Sequence, residues 1–194
     1  FFKEIIGLEE TMEIDGVHYL RAYSDFQHHT LSIEAGENAH VKHIGWRTKT
    51  ADCVLGFKGL LDEQGIAVQE YPKGTTPGIG DSIRFQLPSG HTFELYYEVE
   101  KSKAASDKAS ILKNQVYKSW NKGISPRRFD HVNIHTTTDV DESYEFLMEV
   151  LGFNMREYVR GDDGILAGWM SVTPLVHDVA MIKKETLPTP ARLH

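Results

Sequence analysis

Along Arg128–His135, Phe129, His131, Asn133 and His135 fall on one side and Asp130, Val132 and Ile134 on the other. A repeat of two residues is the signature of a β-strand, so this stretch is expected to be a strand with His131 on one face. Ala39–Thr48 has the same form, with His43 in the place of His131, and Pro190–His194 opens like a further copy. Between the copies the period changes to that of a helix. Ala51–Gln64 puts Val54, Phe57, Leu60 and Leu61 on one helical face and stops at Gly65. Phe146–Phe153 and Phe1–Leu8 match each other, each an apolar helical pattern ended by a glycine, Gly152 and Gly7.

Three short strands are expected after each helix. They fall at Thr11–Ile14, Val17–Tyr23 and His29–Ile33, then at Ile66–Gln69, Ser82–Leu87 and His91–Val99, then at Asn154–Val159, Ile165–Ser171 and His177–Ile182. The turns between them carry hairpin residues, including Asp15-Gly16, Pro88-Ser89-Gly90 and Gly161-Asp162-Asp163-Gly164. The chain therefore reads as repeats of strand, helix and three strands. By comparison with the later copies the first is short by roughly 15 residues, and the fourth only begins. The expected division is a first domain over 1–100 without metal, a connector over 101–127 and a second domain over 128–194. The connector is set apart by charge: Lys101–Arg128 holds eight basic residues against the single acid Asp107.

Composition narrows the class. The chain has 194 residues, 40% hydrophobic and 25% charged, which is ordinary globular material. Its net charge of −7 argues against nucleic acid as a partner. No apolar run approaches the ~20 residues that span a bilayer, so no membrane partner is expected. One cysteine, Cys53, excludes an internal disulfide and suits a reducing cytosol; it reads as a small helix residue.

Four segments carry a family resemblance: Phe129-Asp130-His131-Val132, Val176-His177-Asp178-Val179-Ala180, Arg192-Leu193-His194 and Leu87-Pro88-Ser89-Gly90-His91. In their order, and with 46 positions from His131 to His177, they resemble the extradiol ring-cleaving dioxygenases, catechol 2,3-dioxygenase above all. The resemblance implies an α+β architecture, the vicinal oxygen chelate fold, in which βαβββ units pair two by two. It also implies a non-haem Fe(II), or Mn(II), held by two histidines and a glutamate of the second domain. His131 matches the first ligand. The second falls at His194 or, by internal register, at the residue after it, and the glutamate lies outside this chain. The position of His177 is that of the acid–base residue, and Trp169 matches a pocket-lining position. The expected activity is extradiol (meta) cleavage of catechol-type aromatics with O2 in aromatic catabolism. A catecholic small molecule would be the substrate, and the protein a cytoplasmic homo-oligomer.

Two other readings use the same residues. His43 and Glu94 stand where the fourth unit would put ligands, so a glyoxalase-like lyase or isomerase could hold its metal in the first domain. A binding protein of the bleomycin-resistance type would need no metal, and retention of both His131 and His177 speaks against it. Of the remaining histidines, His18, His28, His40, His91 and His135 are expected at the surface or satisfied within a sheet. His29, at the position of His177 in the first unit, is expected to be a relic.

Overall fold

The computed structural model describes residues 1–103, 122–137 and 140–184, with the backbone of 191–193. Most of the basic connector, 104–121, and His194 lie outside the described residues. Contacts divide the chain into two compact units, 1–38 with 73–80 and 98–129, and 39–72 with 81–97 and 130–194. This division interleaves along the chain, whereas the expected domains follow the order of the repeats.

The first unit begins with a π-helical turn, Phe2–Ile6, closed by Gly7 at φ +83°. A side chain at Gly7 would run into the Lys122 carbonyl, so glycine is required there. Strands β1 (Glu9–Ile14), β2 (Val17–Arg21) and β3 (Leu31–Ile33) follow as an antiparallel sheet in that order. Asp15 and Gly16 both take positive φ, 52° and 77°, as a two-residue hairpin turn requires. β2 ends at Arg21 rather than at Tyr23. The Ala22 N–H turns aside to the Asp25 carboxylate at 3.0 Å, and Arg21 gathers the carbonyls of Ala22, Tyr23 and Asp25.

The second unit holds β4 (Ile44–Arg47), α1 (Ala51–Glu63), β5 (Gln69–Tyr71), β6 (Ser82–Gln86) and β7 (Thr92–Tyr96), with sheet order β4-β7-β6-β5. It also holds β8 (Val132–Thr136), α2 (Val140–Glu149), β9 (Asn154–Gly161), β10 (Gly164–Ser171), β11 (Val179–Lys183) and β12 (Ala191–Leu193), with order β12-β8-β11-β10-β9. The two sheets share one design. The first strand of each repeat pairs parallel with its last, β4 with β7 and β8 with β11, and the other pairs are antiparallel. Parallel neighbours need a long crossover, which the intervening helix begins.

One face of each sheet supplies the core. Val54 and Leu61 of α1, Phe85, Phe93 and Leu95 of one sheet, Tyr144 and Leu147 of α2, and Ile134, Met170, Val179 and Met181 of the other form a single buried cluster. Each such side chain contributes about 1.5–3 kcal/mol of transfer free energy. Two expectations shift here. The strand expected at Ile66–Gln69 starts at Gln69, because the Ile66 N–H closes the end of α1 on the Leu61 carbonyl at 3.0 Å. The strands expected to carry His131 and His177 begin only at Val132 and Val179.

Candidate functional site

Val132 lies opposite Val179 in the parallel pair β8·β11, and Asn133 lies opposite Ala180. The chain therefore enters both strands at the same end, with His131 and His177 in the two approaches. Their rings meet edge to face, centroids 4.4 Å apart and planes at 68°. Strict alternation would turn His177 the way of Val179, which is buried in the core cluster. The meeting is possible because His177 precedes the strand and is not bound by its period.

Asp130 Oδ2 stands 3.0 Å from His131 Nδ1. A carboxylate can only accept, so Nδ1 is the donor, and in the neutral ring this leaves the lone pair on Nε2. A histidine fixed in this way by a carboxylate is the usual form of a metal-ligating imidazole, so the residues fit a divalent metal on the Nε2 side. Residue His194 lies outside the described residues. The backbone of β12 runs antiparallel to β8, Leu193 opposite Ile134, so its carboxyl end points along β8 towards His131.

Asp178, between His177 and the start of β11, carries contacts that the spacing of motifs did not reveal. It is 7% exposed. Its Oδ2 accepts the N–H groups of Val172 and Thr173 at 2.8 and 3.0 Å, and its Oδ1 accepts the Thr173 hydroxyl at 2.7 Å. Its own N–H goes to the Met170 carbonyl at 2.8 Å, and its carbonyl accepts the Val132 N–H at 3.1 Å. The available signal was local: Thr173-Pro174 opens a turn, and a nearby acid commonly takes the N–H groups that a turn exposes.

Trp169 of β10 lies opposite Ala180. A Cβ on Gly168 would stand 2.8 Å from the Tyr144 ring of α2, and Met170 is buried in the core, so Trp169 between them faces away from the helix. The structure thus brings His131 and His177 together and puts Trp169 on a neighbouring strand of the same sheet.

The other candidate pair closes on itself. His43 Nε2 lies 3.3 Å from Glu94 Oε2, while Oε1 accepts from Ser82 Oγ at 2.8 Å and from Arg84 Nε at 3.0 Å. Glu94 is 2% exposed. Burial alone would push its carboxyl up, but His43, Arg84 and Ser82 outweigh burial and hold it below the ordinary range. Both oxygens are engaged and the charge is balanced by Arg84, so this carboxylate is a structural ion-pair partner rather than an open ligand. Among the described residues, His28, His91 and His135 are buried. His91 Nδ1 meets the Ser89 hydroxyl and His28 Nδ1 meets His29 Nδ1, each at 3.0 Å. Burial lowers the pKa of His28. No helix among the described residues is long and apolar enough to cross a membrane.

Residues 41–100 match the family described as the catechol 2,3-dioxygenase-like N-terminal domain. The chain is 48% identical over 195 residues to the manganese-dependent 2,3-dihydroxybiphenyl 1,2-dioxygenase of Geobacillus genomosp. 3, covering 100% of this chain and 61% of that protein. With metapyrocatechase of Geobacillus stearothermophilus it shares 33% over 184 residues, covering 95% and 55%. Among solved structures, a 2,3-dioxygenase from Pseudomonas sp. KL28 matches with TM-score 0.85 and 27% identity, covering 100% of this chain and 66% of that one. Homoprotocatechuate 2,3-dioxygenase from Arthrobacter globiformis matches with TM-score 0.75 and 31% identity, covering 92% and 52%. The chain thus spans less than two thirds of the length of these curated relatives. Its repeated βαβββ units and these matches agree on one identification: an α+β chain of the vicinal oxygen chelate fold, similar along its whole length to the extradiol dioxygenases of the catechol 2,3-dioxygenase kind.

Proposed function

We propose that this chain forms part of an enzyme that opens catechol-type aromatic rings beside their two hydroxyls, with O2 and a divalent metal. The observation that carries the reading is the approach of His131 and His177 at the common end of β8 and β11, with Asp130 behind His131. His131 would hold the metal through Nε2, joined by the residue at or just after His194. Imidazole and carboxylate donors suit both Fe(II) and Mn(II). When bound, the metal supplies Lewis acidity towards a catecholate and O2.

The chain's own residues account for the rest. Asp130 keeps His131 in the tautomer that offers Nε2. His177 stands one ring away, close enough to take a proton from a substrate hydroxyl and return it later. Imidazole is the side chain suited to give and take a proton in neutral water. Trp169 would present a flat apolar wall to an aromatic ring. The same proposal includes the domains 1–100 and 128–194, the basic connector 101–127 between them, and a cytoplasmic homo-oligomer.

The test compares two variants of the full-length enzyme to which this chain belongs. His177→Phe should keep its metal while turnover of catechol falls by about 10²–10⁴-fold, the usual contribution of a positioned acid–base group. His131→Ala should lose the metal itself, read by elemental analysis. Metal loss in His177→Phe would make that residue a ligand, and unchanged turnover would leave it a packing residue.

A further inference from the structure

The segments 87–91 and 172–178 do the same job in successive repeats, returning the chain from the third strand of a unit to the fourth. The first is a tight turn closed by its own backbone, Leu87 N–H to the His91 carbonyl at 2.9 Å and Gly90 N–H to the Leu87 carbonyl at 2.8 Å. Its histidine, His91, stays buried against Ser89. The second is longer and carries His177 outward to His131. A longer excursion has more conformations to lose, so something must hold it in one of them.

We infer that Asp178 is the positioning residue of His177: its buried carboxylate clasps the loop 172–177 and sets the His177 ring against His131. The contacts fit that task. Two successive N–H groups, of Val172 and Thr173, converge on Oδ2, so the loop wraps round the carboxylate as it leaves β10. The Thr173 hydroxyl donates to Oδ1 and accepts the Leu175 N–H at 3.2 Å, which carries the restraint to within two residues of His177. The Asp178 backbone does the same for the other histidine, because its carbonyl holds the N–H of Val132, the residue after His131. One residue is thus tied to the approaches of both rings. Asp178 touches neither ring through its carboxylate and has no part in proton transfer. Its effect runs through the placement of His177, so the inference rests on the acid–base role proposed for that histidine.

The experiment uses the full chain. Asp178→Ala should lower kcat for catechol by about 10–100-fold, the range for residues that orient an active group, with KM and metal content unchanged. Asp178→Asn keeps an oxygen for the two N–H groups and should restore most of the rate. A second readout needs neither metal nor turnover. In the metal-free full chain, His131→Phe should shift the imidazole NMR resonances of His177, since the rings lie 4.4 Å apart. In an Asp178→Ala background that response should vanish. Should Asp178→Ala fail to fold, Thr173→Val removes one link of the clasp and should weaken both readouts in the same direction. An unchanged kcat in Asp178→Ala, a preserved His131 response there, or equal losses in Asp178→Asn and Asp178→Ala would each overturn the inference. If His177→Phe itself leaves turnover intact, the acid–base reading fails, while the resonance test still decides whether Asp178 sets the ring.

Discussion

Strands β4 and β7 repeat the parallel pairing of β8 and β11, and a histidine stands one residue before the first strand of each pair, His43 before Ile44 and His131 before Val132. From there the ladders can be compared position by position. Gly45 lies opposite Glu94, and Glu94 opposite Arg84. In the other sheet Asn133 lies opposite Ala180, and Ala180 opposite Trp169. The same scaffold positions therefore carry a carboxylate and a guanidinium in one repeat, a methyl and an indole in the next. In the first, opposite charges fill the sheet face and capture the histidine. In the second, small and aromatic groups leave the histidine to meet a second one, His177. Duplication supplies the frame, and two substitutions' worth of side-chain chemistry decides whether it closes or stays open.

The largest test of this contrast is on the closed side. Glu94→Ala would strand Arg84 and His43 beside an emptied, buried position. Breaking such a pair costs about 3–5 kcal/mol, and the partial exposure of both partners favours the low end, about 3 kcal/mol. Urea unfolding measures it, and a loss under about 0.5 kcal/mol, the size of an ordinary surface change, would mean that the network is not structural.

A smaller effect follows with pH. The Glu94 carboxyl is held below its ordinary 4.5 when folded, so its contribution is complete above that value and is lost as pH falls through the folded pKa. The stability gap between the native chain and Glu94→Gln should therefore hold above 4.5 and narrow as pH falls below it. A gap that stays constant would trace the stabilisation to packing rather than charge.

The smallest expected effect is on metal content, in His43→Ala. If the open repeat alone serves the metal, this variant of the full chain keeps it, whereas His131→Ala does not. Loss in both would return the metal to the His43–Glu94 side.

Much of this architecture was legible because its signals are local. Helix α1 shows its apolar spacing, with Thr50 as its N-cap accepting the Cys53 N–H at 3.3 Å, and Asp15-Gly16 announces its hairpin. The site was legible in part. His131 and His177 stood out by pattern and resemblance, but both lie just outside the strands that were expected to carry them. The closed network was less accessible still. Arg84 and Glu94 are ten residues apart, and only the β6·β7 register makes them neighbours. Asp178 was hidden for a related reason. Its partners are backbone N–H groups, which every residue but proline possesses, so no side-chain pattern marks them.

Sheet order has a consequence for exchange with solvent. β8 lies between β11 and β12: Val132–Thr136 pairs with β11 and Ile134–Thr136 also with β12, so amide protons in these ladders leave only when a ladder opens. Deuterium should accordingly reach the paired amides of β8 only through a larger, rarer opening of the sheet. His131 is thereby moored beside a slow-opening strand, a timescale that its own side chain does not impose.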